Sequence, residues 1–427
     1  MIEMKKSGID WIGEIPAHWK VKRLKDVTTL NPNYSGCDLE GEVSFVPMES
    51  LRCGQIDLQE IEFSEAKGKY TYFGNEDLLI AKVTPCFENG NIALAKDLKQ
   101  GVGYGSSEIF VLRSNGILNK YLFYYTLTGN FQGKACSTMC GVGGLKRISP
   151  LFMRTHQFAI PPLAEQQVIA DYLDEKTAEI DEQVALLEKK RESYNKLKRS
   201  LISKVVTRGL NPAIELKDSG NDWLGEIPAH WEVKRIKDIA ELGSGTTPKS
   251  SNEKYYDDGV HPWLITGDVQ NRLVESNDNF ITDLALAEIP NLKLYPARTV
   301  LLAMYGGGTI GNVGLITYPA YINQACCAMI PKQNIFEKYL FYYLLTKQER
   351  IVSTGVGGTQ INLSQNKISA YPIAVPPITE QQAIADYLDE KTAEIDGQMA
   401  LIDKKIDTYK KLKQSLIDEV ATGKRKI

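Results

Sequence analysis

The sequence predicts an α/β protein in which two similar globular domains, related by an approximate two-fold, are joined by two long helices that pack as an antiparallel coiled coil. Three observations predict this fold class: a tandem duplication, a heptad-patterned helix after each copy, and short apolar strands inside each copy. The expected boundaries are a first domain at 1–160, a central helix at 161–210, a second domain at 211–375 and a C-terminal helix at 376–427.

The duplication is carried by three repeated segments, which together we term the frame. Residues 11–26 recur as 223–238, residues 161–183 recur as 376–398, and KYLFYY at 120–125 recurs at 338–343. The first two pairs agree at 13 of 16 and at 19 of 23 positions. The interiors, 27–119 and 239–337, hardly resemble each other. A repeated frame indicates identical partners or identical structural roles, and divergent interiors indicate that each copy recognises something different.

Each interior nevertheless has a similar predicted layout. DLLIAKV at 77–83 and TVLLAMY at 299–305 predict short buried strands that enter polar, glycine-containing loops. The loops are TPCFENGN and GGGTIGN, and another apolar stretch follows each one, at 92–95 and at 313–317.

The two long helices begin after Pro-Pro pairs and carry apolar or tyrosine residues at every seventh position. These positions are Leu173, Ile180, Leu187, Tyr194 and Leu201 in the first helix and Leu388, Ile395, Ile402, Tyr409 and Leu416 in the second. Such spacing predicts coiled-coil packing. Acidic residues crowd the front half of each helix and basic residues the back half, so an antiparallel pair sets acid against base. The alternative is that each helix packs only on its own domain.

Composition describes an ordinary globular protein, with 43% hydrophobic and 24% charged residues. No apolar run is long enough for a membrane span and the first residues do not form a signal peptide, so we expect a cytoplasmic protein. Cys136 and Cys140 are expected to be buried thiols rather than zinc ligands. A net charge of −3 excludes a uniformly basic nucleic-acid-binding surface. Residues 109–164, 289–336 and 350–379 contain no acid, however, so an anionic partner could approach them.

Loop residues that can contact phosphates or base edges are the candidate binding residues. They are Lys82, Asn89, Lys146 and Arg147 in the first domain and Thr246, Thr247, Lys249, Tyr305, Gln360 and Asn362 in the second. Two glycine-rich loops, CGVGGLKR and TGVGGTQIN, precede the two Pro-Pro pairs. Their alignment sets Lys146-Arg147 against Gln360-Ile361, and different donors at matching places are what two different DNA half-sites would require.

The sequence predicts no catalytic or metal site. Asn31-Pro32-Asn33-Tyr34 is close to the NPPY-type phrase of adenine methyltransferases, but its third residue differs and no glycine-rich cofactor loop accompanies it. GSGTTPKS at 243–250 lacks the glycine that precedes the lysine of a P-loop. The four histidines do not form the pattern of nucleophile, base and orienting group.

The GEIPAHW openings and the phrase PPxxEQQxIADYLDEKTAEID at the start of each long helix give the chain a resemblance to the specificity subunit of type I restriction–modification enzymes. The resemblance covers essentially the whole chain, with weaker matches at GSGTTPK (243–249) and NQA (323–325). It implies a subunit without catalytic activity, whose two target-recognition domains each read one half of a split target in double-stranded DNA. The helices would act as a spacer and dock two copies of a modification subunit.

The same resemblance implies no cofactor in this chain. S-adenosylmethionine would serve the adenine-methylating modification subunits, and ATP and magnesium would serve a restriction subunit that joins them. Three alternatives stay open on the sequence: a self-sufficient DNA-modifying enzyme, a specificity subunit of a restriction enzyme outside type I, and a coiled-coil scaffold without a DNA function.

Overall fold

The computed structural model describes residues 3–141, 144–356 and 361–427. The chain forms two compact units, one made of residues 1–188 with 403–427 and the other of residues 189–402. Each unit therefore contains one globular domain together with a portion of each long helix.

The first unit contains two four-stranded sheets and three two-stranded ones. Its strands are β1 (Met4–Lys6), β2 (Glu14–Pro16), β3 (Lys20–Arg23), β4 (Thr28–Leu30), β5 (Glu42–Val46), β6 (Leu51–Arg52), β7 (Gln55–Ile56), β8 (Gln59–Glu62), β9 (Thr71–Gly74), β10 (Leu78–Ala81), β11 (Ile92–Leu94), β12 (Val102–Gly105), β13 (Ile109–Ser114) and β14 (Gln157–Ile160). Its helices are α1 (Phe63–Ala66), α2 (Asn119–Thr126), α3 (Gly129–Ser137), α4 (Pro150–Thr155) and the first part of α5 (Leu163–Arg208), with short 3-10 turns at Leu24–Asp26, Met48–Ser50 and Lys99–Gly101.

The second unit contains a five-stranded, a three-stranded and two two-stranded sheets. Its strands are β15 (Leu216–Asp218), β16 (Glu226–Pro228), β17 (Glu232–Arg235), β18 (Ala240–Ser244), β19 (His261–Leu264), β20 (Arg272–Val274), β21 (Phe280–Ile281), β22 (Val300–Ala303), β23 (Val313–Ile316), β24 (Tyr321–Ile322), β25 (Cys326–Pro331) and β26 (Pro372–Val375). Its helices are α6 (Ile236–Ile239), α7 (Asp283–Glu288), α8 (Glu337–Ser353), α9 (Gln365–Ala370) and the first part of α10 (Ile378–Ala421), with a 3-10 turn at Glu253–Tyr255.

The central strand of each unit is fully buried, which explains its unbroken apolar sequence. In the first unit β10 lies between β11 and β13 and runs antiparallel to both. In the second unit β22 lies between β23 and β25 in the same way. The strands expected from DLLIAKV and TVLLAMY, and the apolar strand after each loop, are therefore confirmed, as is the α/β fold class.

The long helices run antiparallel within each unit. In the first unit Asp181 of α5 accepts a bond of 2.6 Å from Lys413 of α10. The start of α5 and the end of α10 also meet there, because Trp19 donates to Glu165 and lies against Gly423. In the second unit Lys198 donates to Asp396 at 2.6 Å. The acidic part of one helix thus faces the basic part of the other, as the charge pattern predicts.

The burial of the ten heptad side chains agrees with this antiparallel packing. Four of them belong to the hydrophobic cores of the two units, two more pack against those cores, and none of the ten is exposed. Buried residues of the set are Leu173, Ile180, Leu388, Ile395, Ile402 and Leu416, and half-buried residues are Leu187, Tyr194, Leu201 and Tyr409. The alternative in which each helix packs only on its own domain is wrong, since the end of α10 packs in the core of the first unit.

The first repeated segment binds the start of each long helix. Glu165 accepts hydrogen bonds from the indole of Trp19, at 3.1 Å, and from His18, at 2.7 Å. In the second unit Glu380 bonds in the same way to Trp231 and His230, at 3.2 and 2.7 Å. Both tryptophans are completely buried. GEIPAHW is repeated because each copy fastens its domain to a helix start.

The repeated KYLFYY segments, which lie in helices α2 and α8, also bind the first part of each long helix. Asp174 of α5 binds Lys120 at 2.6 Å and the hydroxyl of Tyr124 at 2.7 Å. The equivalent Asp389 of α10 binds Lys338 and Tyr342. The buried hydroxyl of Tyr121 donates at 3.0 Å to the carbonyl of Ala421, the last residue of α10. A helix end has carbonyls without intrahelical partners, so this bond satisfies one of them inside the core.

Candidate nucleic-acid interface

The end of strand β10 brings three of the predicted binding residues of the first unit together. The N–H of Lys82 donates to the carbonyl of Glu108 at 2.8 Å, and Ile148 donates to the carbonyl of Lys82 at 3.0 Å. Thr84 and Lys146 also bond to each other, through N–H to carbonyl and N–H to hydroxyl contacts of 3.0 Å. We term Lys82, Glu108, Lys146 and Arg147 the Arg147 cluster.

Arg147 and Glu108 form a two-pronged ion pair at the surface. Nε and Nη2 of Arg147 each donate to a carboxylate oxygen of Glu108 at 2.9 Å. These two hydrogen bonds lower the pKa of Glu108 and raise the pKa of Arg147. The side chain of Arg147 is 51% exposed, so a ligand can reach the guanidinium.

Lys82 is half-buried and close enough to interact electrostatically with both members of this pair. Its ammonium donates to the carbonyl of Ser107 at 2.6 Å and lies 4.6 Å from the ring centre of Phe110. Burial lowers the pKa of Lys82, an effect that Glu108 opposes. Two cations and one carboxylate therefore lie together at one end of the sheet, and the exposed Lys146 precedes Arg147 in the chain. The cluster thus has a positive balance that suits an anionic ligand.

Asn89 is not part of this cluster. Its side chain is exposed on the turn after Pro85, to whose carbonyl its N–H donates at 3.0 Å. Among the residues that the structure describes, no hydrogen bond joins Asn89 to Lys82, Lys146 or Arg147.

The second unit builds a corresponding site at the end of β22. The N–H of Met304 donates to Ala325 at 2.8 Å, and Leu363 donates to the carbonyl of Met304 at 2.8 Å. The hydroxyl of Thr247 donates to the side-chain carbonyl of Gln324. Burial raises the pKa of the half-buried Tyr305, and its hydrogen bond with Gln324 opposes that rise. We term Thr247, Met304, Tyr305, Gln324, Ala325 and Asn362 the Asn362 cluster.

The other candidates of the second unit lie around this cluster. Asn362 and Lys249 have exposed side chains, and Thr246 donates to the carbonyl of Asn291 at 3.1 Å. Gln360 lies outside the described residues. Gln324 was not among the predicted binding residues, although its NQA phrase was one of the weaker signals that could have identified it.

The alignment of the two glycine-rich loops needs a correction. Arg147 forms a backbone bridge with Cys140, whereas the equivalent bridge in the second unit joins Asn362 to Val356. Two residues after each of these positions a serine caps the following helix. Arg147 therefore corresponds to Asn362 and not to Ile361, because the second loop is one residue shorter between its bridge partners.

The weak catalytic phrase is structural. Asn31 donates its N–H to the carbonyl of Val111 at 2.7 Å, and its side-chain oxygen accepts from the N–H of Val111 at 2.9 Å. Tyr34 donates to the carbonyl of Cys37 and packs edge-on against Phe63. These residues hold the segment after β4 to the sheet edge.

Cysteines and histidines give no metal centre in the described part of the chain, where no group of three or more His, Cys, Asp or Glu side chains is placed to hold an ion. Cys136 is half-buried, but the prediction that Cys140 is buried is wrong, because its bridge to Arg147 lies at the surface. Among the described helices, none combines the length and apolar character needed to cross a membrane.

Comparison with known proteins agrees with this arrangement. The family model described as type I restriction modification DNA specificity domain matches residues 16–191 and again residues 228–404. The specificity subunit of the type I restriction enzyme EcoEI from Escherichia coli is 24% identical over 88% of this chain and 78% of its own length. That of EcoAI from Escherichia coli is 36% identical over a shorter segment, 36% of this chain and 27% of its own.

A solved structure shows the same fold over nearly the full length. A chain from a structure concerned with complex assembly in the type I R-M system superposes with a TM-score of 0.77 and 16% identity, covering 96% of this chain and 99% of that one. The two matched segments together span well over half of the sequence. The chain therefore belongs to the family of type I restriction modification DNA specificity subunits.

Proposed function

We propose that this chain is the non-catalytic DNA-recognition subunit of a type I restriction–modification system, in which each domain reads one half of a split target. The observation that carries the proposal is the pair of clusters at the ends of β10 and β22. They share one backbone hydrogen-bond pattern but present different side chains, with Arg147 where the other has Asn362. Two sites of equal geometry and different chemistry suit two unlike half-sites.

The charge distribution supports DNA as the ligand. Most of the cluster residues belong to segments without acidic residues, namely Lys146, Arg147, Met304, Tyr305, Gln324, Ala325 and Asn362. Glu108, which directly precedes the first of these segments, is held by Arg147. Lys146 and Lys249 are exposed at the two sites and can neutralise phosphates. Arg147 and Asn362 offer the paired donors or donor and acceptor that read base edges in the major groove.

Exposed leucines on the long helices support the docking of two identical modification subunits. Leu186 and Leu412 are 52% and 51% exposed in the first unit, and Leu401 and Leu197 are 55% and 52% exposed in the second. Leu401 repeats Leu186, and Leu412 repeats Leu197, in the duplicated sequence. Each unit thus offers the same apolar side chains to a partner, and two equivalent surfaces suit two copies of one subunit.

We assign the cofactors of the reaction to those partners. Adenine methylation would draw on S-adenosylmethionine in the modification subunits, and DNA translocation or cleavage on ATP and magnesium in a restriction subunit. The sequence of this chain contains no P-loop. Residues 306–311 fit the GxGxxG spacing, but they join strands β22 and β23 and do not open a helix, unlike a dinucleotide-binding fingerprint.

The test is to express the chain with a type I modification subunit encoded beside it and to map methylated adenines across the host genome by single-molecule sequencing. We expect one split, asymmetric motif with a fixed gap, present only when this chain is included. A continuous motif, or methylation that persists when the chain is omitted, would contradict the proposal.

Docking is tested separately by co-purification. Because Leu186 and Leu401 are exposed, the double change Leu186→Asp and Leu401→Asp is expected to leave folding intact and to remove the modification subunit. Val260, which is 66% exposed and lies in the second domain, supplies the control Val260→Asp. If both variants retain the partner equally, the leucine surface is not the docking surface.

A further inference from the structure

The two reading sites can be compared position by position through their backbone hydrogen bonds. Lys82 and Met304 each donate to the residue before a neighbouring strand of the sheet, Glu108 before β13 and Ala325 before β25, and both bonds measure 2.8 Å. The carbonyl of Lys82 accepts from the residue after Arg147, as that of Met304 accepts from the residue after Asn362. Lys82, Glu108 and Arg147 are therefore the counterparts of Met304, Ala325 and Asn362.

The chemical difference at these positions is large. In the first unit all three positions are ionisable, whereas in the second unit two are apolar and one is an amide. Met304 and Ala325 are buried, and only Asn362 presents a polar side chain to solvent. The equivalent backbone thus supports an Arg–Glu pair at one site and a lone amide at the other.

The Arg147–Glu108 pair is poorly explained by stability. The two side chains are 51% and 31% exposed, and ion pairs with that degree of solvent contact contribute little to folding. Glu108 is instead notable for its place, since it is the last acidic residue before the acid-free segment 109–164. A carboxylate beside a phosphate-binding surface weakens DNA binding unless it has a specific task.

The geometry of the pair indicates that task. Glu108 takes the hydrogens of Nε and one hydrogen of Nη2 from Arg147. The edge formed by Nη1 and the second Nη2 hydrogen is left for a ligand, and this edge matches the O6 and N7 acceptors of guanine. A guanidinium already held in plane loses less side-chain freedom when it binds.

We propose that Glu108 is a specificity-determining residue, which orients Arg147 so that the first domain reads a guanine at one position of its half-site. At the equivalent place in the second domain Asn362, without a carboxylate at Ala325, reads an adenine through the donor and acceptor of its amide. This inference rests on the proposed function and adds the residues and bases that give each half-site its identity.

The test compares the methylation motifs of variants, expressed with the modification subunit. Arg147→Lys keeps the charge but loses the bidentate edge, and Glu108→Ala keeps Arg147 but frees its orientation. We expect both to make one guanine position in one half-site degenerate, lowering discrimination there about tenfold or more. The other half-site should be unchanged, and Glu108→Gln, which keeps an acceptor for Arg147, should lose less.

Arg154→Lys, at an exposed arginine of helix α4, is the matched control and should keep the parental motif. Uniformly weaker methylation with an unchanged motif would overturn the inference, because it would make Arg147 a phosphate contact and Glu108 a tether of its loop. An unchanged motif at unchanged strength would overturn it as well. If the unaltered chain gives no split motif, the proposed function itself fails, which the parental sample reveals before any variant is compared.

Discussion

Acidification should destabilise the first unit through His156. This imidazole is buried against Phe152 and Phe131, and its Nε2 lies 2.7 Å from the hydroxyl of Tyr125. Burial, aided by repulsion from Lys134, lowers its pKa to about 4. The unfolded chain binds the proton near pH 6.5 and the folded chain does not, so stability falls as pH drops from about 6.5 towards 4. At pH 5 the loss from this group is ~2 kcal/mol.

The assay uses a variant that cannot titrate. His156→Gln keeps a neutral hydrogen-bonding group opposite Tyr125. Any pH-independent change that the substitution makes in the free energy of unfolding cancels, because each protein is compared with itself at pH 7.5 and pH 5.0. A urea titration monitored by the hydrogen exchange of peptides from the first unit gives the free energy of unfolding of that unit. We expect the parental chain to lose ~2 kcal/mol more than His156→Gln between the two pH values. Equal losses would refute the reasoning, since they would mean that the folded protein accommodates the imidazolium.

Two further predictions concern helix α10. Leu388→Ala empties a completely buried position and should lower the free energy of unfolding by ~2–5 kcal/mol, whereas Leu401→Ala, at a position 55% exposed, should change it by less than ~0.5 kcal/mol in the same urea titration. Gly397→Ala should raise the thermal midpoint and add ~0.5–1 kcal/mol, because a Cβ there meets nothing within 4 Å and alanine favours the helix. A loss of stability in Gly397→Ala would show that this segment of the helix is not in a regular conformation.

The fold was predictable where a periodic pattern and a repeated phrase coincide. The heptad positions and the unequal charge along each helix sufficed for the antiparallel pairing, since burial and Coulomb attraction act on whole stretches. The hydrogen bonds that the polar residues of the frame make were not predictable from the sequence. Nothing in the spacing of Glu165 and Trp19 states that a carboxylate 146 residues away accepts the indole hydrogen, and only the folded chain brings them together.

The candidate sites were predictable in composition and less so in geometry. Lys82, Lys146 and Arg147 were expected from residue type, and the structure brings them together at the end of β10. Glu108 was not predictable from residue type, because a carboxylate repels phosphates and only the folded chain pairs it with Arg147. The alignment of the glycines predicts a register that differs by one residue from the correspondence of Arg147 with Asn362, because the two loops differ in length and only the backbone bridges reveal it.

The buried residues of the frame and the proposed reading residues are different residues in each unit, and this separation explains why the frame is closely repeated while the loops that carry Arg147 and Asn362 differ. Trp19 and Trp231 are fully buried and hydrogen-bonded, so a substitution there leaves a cavity and removes one of the two hydrogen bonds that the carboxylate at the helix start accepts. Arg147 and Asn362 are exposed on bridges that backbone atoms alone maintain, so their side chains can change without altering the fold. The same scaffold can therefore present a guanidinium in one copy and an amide in the other, which is the condition for reading two different half-sites with one repeated domain.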